Sequence, residues 1–364
     1  MKVMLSLLLI AMAVQAQAQN LDVQAISKGY TTYVGEDINN LTVTQDGVTL
    51  GQESFEVRYG KAPTDTNTIV KTPLTEPFVL AHSQRTPYVF VFAHGITDSA
   101  FQGKDLARSL YAQGHNFLSL RLAGHGIDTP NVNTITLESW RQSMDQAIEQ
   151  AKLLGDKVVL IGLSTGSALL VDRVYRRSDD IAAIIPVAPA IGISNIGANK
   201  WLKRLEKIPG LVPFIGDLKE RFTGNQFIGS ANKEETDVRQ LRKDVNALNV
   251  LYQLGKAVQA HMKNGELVPV PGLLVSSTND KSIDLAVLPH MMNVWPTGEW
   301  LVQSKSVHSG MVYNPAYVAY DAPDTDGVSR PFVSISEANP EYDAMITRIN
   351  LFMDCNGRMK QASQ

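Results

Sequence analysis

The sequence predicts an α/β protein with a mostly parallel central sheet, helices on both faces and a helical cap insertion. Three observations carry that prediction. Short apolar runs recur along the chain with helical stretches between them, the pattern of βαβ units. The runs are continuous in polarity rather than alternating, as strands covered on both faces require. One long tract, 191–265, breaks the rhythm with helical patterning and no strand-like run.

The runs are YVFVFAHG (88–95), FLSLRLAGHG (117–126), KVVLIGLSTG (157–166), IAAIIPVAPA (181–190) and VPGLLVSSTND, which ends at Asp280. Between them, FQGKDLARSLYAQG, LESWRQSMDQAIEQAKLLG and SALLVDRVYRRS have helical spacing. Residues 19–190 therefore form the first part of the core, with a β-rich extension to about 85. NLTVTQDGVTLG and SFEVRYGKAP in that extension read as one or two antiparallel strands. In 191–265, Trp201, Leu202, Leu205 and Ile208 share one helical face, and Leu211, Val212, Phe214 and Ile215 cluster around prolines. An apolar insertion between two core strands is a candidate cap over a pocket, and also reads as an ordinary helical subdomain with its own core; the two readings are not exclusive. Residues 266–364 return to the core.

At 364 residues and 44% hydrophobic, the chain is long enough to bury a large core. The formal charge is −3, and no stretch gathers enough Lys and Arg to neutralise phosphates, which argues against a nucleic-acid partner. Residues 1–18 read as a signal peptide: Lys2, an apolar block from Val3 to Val14, then Ala16-Gln17-Ala18. The block is shorter than the roughly 20 residues a stable membrane anchor needs. Export to the periplasm or medium, with a mature start near Gln19 and no stable membrane anchor, is the expectation. Cys355 is the single cysteine, so neither an intrachain disulfide nor a Cys-based zinc site can form. It falls in a helical segment and reads as a half-buried thiol. Oligomeric state has no signature here.

Ser164 stands between Gly162 and Gly166 where a buried strand gives way to a helix. A serine on so sharp a turn projects its hydroxyl, and glycines two residues either side let strand and helix approach closely. Composition alone produces G-x-S-x-G in about one chain of this length in ten, so the strand before it and the helix after it matter. A hydroxyl needs a base. Of seven histidines, His82, His115, His261 and His290 read as surface or packing residues, and His94 and His125 lie in His-Gly turns upstream. His308 opens a loop after the strand-like WLVQSKSV, where a base would stand beside the elbow. Asp280, at a strand end, is the candidate acid that holds the imidazole, with Asp284 as its rival. A developing oxyanion would rest on the backbone N–H of Thr165 and that of Ile96, beside Gly95.

With these residues in place, the chain resembles a serine hydrolase of the α/β-hydrolase superfamily from about residue 86 to 355. His94-Gly95, GHG at 124–126, GLSTG at 162–166, Asp280-x-x-Ile283 and His308 fall in that family's order. The segment LRLAGHGIDTPN…TLESWRQSMDQAI is similar to the carboxylesterase and monoacylglycerol-lipase branch, although Arg121-Leu122-Ala123 replaces the branch's usual approach to GHG. The resemblance implies that His125 packs a turn, that Trp140 anchors the core, and that an acyl-enzyme forms on Ser164 of a small ester or lipid substrate. It implies no metal or organic cofactor. The same site serves amidases, peptidases, thioesterases and carbon–carbon hydrolases, and a hydrolase scaffold can also serve as a binding protein.

Overall fold

The computed structural model describes residues 19–59, 69–70, 73–126, 135–192, 245–317, 322–323, 329–330 and 338–362. The expected signal peptide, 1–18, lies outside them, as does most of the expected cap, 193–244.

Ten strands form one sheet: β1 (Thr31–Val34), β2 (Leu41–Gln45), β3 (Val48–Glu53), β4 (Phe78–Ala81), β5 (Thr86–Ala93), β6 (Asn116–Ser119), β7 (Gly155–Leu163), β8 (Ile181–Val187), β9 (Gly272–Ser277) and β10 (Gly298–Gln303). Their spatial order is β10-β9-β8-β7-β5-β6-β4-β1-β2-β3. From β10 to β6 every pairing is parallel. Val89–Phe92 in β5 and Val159–Ile161 in β7 are completely buried, which explains their uninterrupted apolar sequence.

Helices α1 (Val23–Ile26) and α2 (Phe55–Tyr59) belong to the N-terminal extension, and α3 (Lys104–Tyr111) follows β5. The helices α4 (Leu137–Ala151), α5 (Thr165–Arg176) and α6 (Val245–Lys263) pack side by side against one face. Leu254 and Val258 of α6 join the main core, so this part of 191–265 belongs to the helical layer on the sheet. A short helix, α7 (Leu288–Asn293), precedes β10, and α8 (Tyr342–Ala362) ends the described chain. The Tyr342 hydroxyl meets Ser109 Oγ at 3.0 Å, joining α8 to α3 on the opposite face.

Two expectations need correction. The extension supplies four strands rather than one or two, and Phe55–Tyr59, in the segment SFEVRYGKAP that reads as strand, forms helix α2 instead. The hairpins β1–β2 and β2–β3 are antiparallel, but β1 runs parallel to β4, a partner more than forty residues away that local pattern does not reveal. Tyr33, Phe55, Tyr59 and Phe78 pack together within the extension through ring contacts of 4.6 to 5.8 Å, and Phe78 meets Phe117 of β6 at 6.3 Å. Each such contact contributes about 1 kcal/mol beyond area burial. Cys355 is exposed rather than half-buried, because α8 turns Phe352 and Met353 toward the core instead.

The strand order also fixes where a site can form. From β5 the chain steps to β6 on one side, then crosses back to β7 on the other. Loops leaving the carboxyl ends of β5 and β7 therefore diverge, and in open α/β sheets the crevice at such a switch point receives ligands.

Candidate active site

Ser164 follows β7 at this switch point, with φ 56° and ψ −109°, a region that non-glycine residues rarely occupy. The neighbouring glycines are enforced by contact. A Cβ on Gly166 would lie 2.0 Å from the Ala93 carbonyl oxygen, and one on Gly162 would lie 2.8 Å from the Gly166 carbonyl carbon. Strand, turn and helix can close this tightly only without those side chains. Ser167 reinforces the bend: its hydroxyl donates to the Gly162 carbonyl and accepts the Val187 N–H at 2.8 Å.

Asp280 and His308 come from the ends of β9 and β10. The Asp280 side chain is fully buried, and its Oδ1 accepts the Ser282 N–H at 2.8 Å and the Ile283 N–H at 3.4 Å. Its Oδ2 lies 2.7 Å from His308 Nδ1, and His308 Nε2 lies 2.8 Å from Ser164 Oγ. With the Nδ1 proton donated to Asp280, Nε2 is left to accept the Ser164 hydroxyl proton. Such an arrangement can raise a hydroxyl to a nucleophile. Asp284 stands apart; it caps the turn 285–287 by accepting the Ala286 N–H at 3.1 Å.

Gly95 and Ile96 follow β5, beside the elbow: the position a Gly95 Cβ would take is 3.7 Å from Ser164 Cβ. Among the described residues, neither the Ile96 nor the Thr165 backbone N–H donates a hydrogen bond. Two unpaired donors next to a positioned hydroxyl can receive negative charge developing on a substrate oxygen.

Three residues steady that loop. Gln102 Oε1 accepts the Gly95 N–H at 2.8 Å. His94 Nε2 accepts the Leu122 N–H at 3.1 Å, which leaves its Nδ1 proton for the Gly95 carbonyl at 2.8 Å. His125 Nε2 lies 3.0 Å from the Ile96 carbonyl, and its ring packs against Trp140, which is fully buried. Gln102 left no trace in the sequence, because nothing about a glutamine seven residues past Gly95 marks it as a loop anchor.

His94 is fully buried, and this, with His125 nearby, holds its imidazole well below the ordinary value of 6.5. The folded state thus binds that proton more weakly than the unfolded chain. His94 therefore contributes stability that is complete above pH 6.5 and is lost as pH falls toward its depressed folded value. Replacing His94 by Gln should flatten the loss of unfolding free energy between about pH 7 and 5, by up to about 1.4 kcal/mol per pH unit. Urea titrations at several pH values measure this, and parallel slopes for both proteins contradict it.

Comparison with known proteins agrees with this architecture. The thermostable monoacylglycerol lipase of Bacillus sp. (strain H-257) is 23% identical over 249 residues, 68% of this chain and 90% of the lipase. The monoacylglycerol lipase structure from Paleococcus ferrophilus superposes with a TM-score of 0.53 at 14% identity, covering 77% of this chain and 98% of that one. Monoglyceride lipase of Saccharomyces cerevisiae gives 0.53 at 12% identity, covering 75% and 87%. Residues 84–297, from the entry to β5 up to the start of β10, match the family model described as serine aminopeptidase, S33. The chain therefore belongs to the S33 serine aminopeptidase family and has the α/β-hydrolase fold.

Proposed function

We propose that this protein is an exported carboxylic-ester hydrolase that cleaves acyl esters of small or lipid-like substrates through an acyl-enzyme on Ser164. The observation that carries the reading is the unbroken Asp280–His308–Ser164 chain, with links of 2.7 and 2.8 Å, beside two unpaired N–H groups. His308 takes the hydroxyl proton as Ser164 Oγ attacks the ester carbonyl carbon. The resulting oxyanion is received by the Ile96 and Thr165 amides, each contributing about 3 kcal/mol of barrier lowering by analogy with mutated oxyanion holes. The proton on His308 passes to the leaving alcohol. Water then repeats the sequence, giving up its proton to His308, and releases the carboxylic acid. Asp280 keeps the imidazole in the required tautomer and balances its charge while protonated.

The Bacillus relative, described as a monoacylglycerol lipase over nearly its full length, favours an ester over other acyl groups. The family description, an aminopeptidase, favours an amide bond with a free amino group beside it. A substrate panel separates the two readings. p-Nitrophenyl acyl esters and monoacylglycerols should turn over, and aminoacyl p-nitroanilides should be far slower; the reverse ranking contradicts the ester reading. Export is supported by the order of Lys2, apolar block and Ala16-Gln17-Ala18. Recovered protein should begin near Gln19, and an intact Met1 on the secreted or periplasmic product contradicts processing.

A further inference from the structure

The segment that follows His308 is tied at three points to the segment that follows Ile96. The Tyr313 hydroxyl donates to Asp98 Oδ1 at 3.4 Å, the Asn314 N–H to Asp105 Oδ2 at 3.0 Å, and Lys104 Nζ to the Tyr317 carbonyl at 3.2 Å. The middle tie has an unusual setting. Asp105 is fully buried, and its other oxygen, Oδ1, accepts from Lys104 Nζ at 2.7 Å and Arg108 Nη1 at 2.8 Å. Lys104 is buried as well, its side chain 1% exposed. Arg108 is shared with Glu56 of α2, Nη2 to Oε2 at 2.8 Å, and its guanidinium lies 4.1 Å from the Tyr317 ring centroid. Lys104 and Arg108 thus face Asp105 and Glu56 in a group whose charges balance.

Burying the three charges of Lys104, Asp105 and Arg108, with Glu56 half-buried beside them, is costly, and their mutual attraction about offsets the loss of water; apolar side chains would hold a loop at least as firmly. A set of charge-assisted bonds adds direction instead. With both cations on Oδ1, Oδ2 is left aimed at the Asn314 N–H. The same short stretch of chain, 102–105, also holds the Gly95 N–H through Gln102. One helix start therefore grips both the oxyanion loop and the base loop.

We propose that Asp105 is a positioning residue: through the Asn314 N–H it sets the 308–317 loop against the Gly95–Ile96 peptide, and so places His308 Nε2 against Ser164 Oγ. Lys104 and Arg108 hold its carboxylate in the orientation this requires. The inference rests on the acyl-enzyme reading above.

The test uses the full chain as wild type, Ser164→Ala, Asp105→Ala, Asp105→Asn and Lys104→Met, with p-nitrophenyl butyrate as substrate. Competent sites are counted by fluorophosphonate titration, and folding is followed by near-ultraviolet circular dichroism and thermal unfolding. Asp105→Ala should lower kcat per titrated site by about 10- to 100-fold while KM stays within about twofold, the pattern of a displaced reacting group. Asp105→Asn, which keeps an acceptor for Asn314, should recover at least about threefold of that loss. Equal kcat per titrated site in wild type and Asp105→Ala, even with a lower Tm, overturns the proposal, since Asp105 then serves stability alone. Should Asp105→Ala not fold, Lys104→Met, which removes one of the two cations holding Oδ1, should lower kcat per site at least about threefold, and wild-type kcat per site in that variant overturns the proposal equally. Failure of the underlying reading looks different: Ser164→Ala would retain turnover, and Asp105 would then have no base to position.

Discussion

Ser164→Ala is expected to lower kcat for p-nitrophenyl esters by about five to six orders of magnitude, the scale seen when a serine nucleophile is removed from a comparable triad. The size follows from the geometry. His308 Nε2 has the Ser164 hydroxyl 2.8 Å away, and without that oxygen there is no atom to carry the acyl group. The Ile96 and Thr165 donors remain, so a small residual rate above that in water should persist. The fold should survive. The substitution deletes one oxygen whose bond in the described structure is to His308, and the glycine contacts that shape the bend are untouched. Circular dichroism matching wild type with turnover retained would remove Ser164 from the nucleophile's role.

Asp280→Asn should give the second largest loss, about 10⁴-fold in kcat at neutral pH, with KM nearly unchanged. The amide fits where the carboxylate sat, and its oxygen can still accept from Ser282 and Ile283. Its NH₂ group would then face His308 Nδ1 and force the proton onto Nε2. That nitrogen could no longer accept from Ser164, and no negative charge would balance the imidazolium as it forms. Asp284→Asn is the control. Its carboxylate caps a turn by one bond to the Ala286 N–H, which an amide oxygen can also accept, so both kcat (within about twofold) and stability should stay close to wild type. Equal losses in the two variants would contradict the assignment of Asp280.

The elbow was legible because its constraints are local. Gly162 and Gly166 are dictated by backbone contacts of under 3 Å within a few residues of Ser164 or on the neighbouring strand, and that demand shows in the residue types themselves. Asp280 and His308 were legible for a related reason: each follows one of two parallel neighbouring strands whose ends meet the same edge of the sheet. The extension was legible only in part. NLTVTQDGVTLG holds the antiparallel β2–β3 hairpin, but TTYV is buried along its whole length and shows no alternation, and FEVRY, patterned like a strand, is a helix. The Lys104–Asp105–Arg108 group was hidden more deeply. Charges at helical spacing ordinarily face water. Here Glu56 from the extension and Tyr317 from beyond His308 cover them, and only the fold brings those distant segments together.

The most direct measurement is to label the folded protein with a fluorophosphonate and map the adduct by mass spectrometry. A single phosphonyl group on the peptide containing Ser164, with no labelling of His308→Ala at matched concentration and time, is the predicted result. An adduct on a different residue, or unlabelled protein whose spectrum shows a native fold, contradicts the claim that the imidazole at 308 activates this hydroxyl.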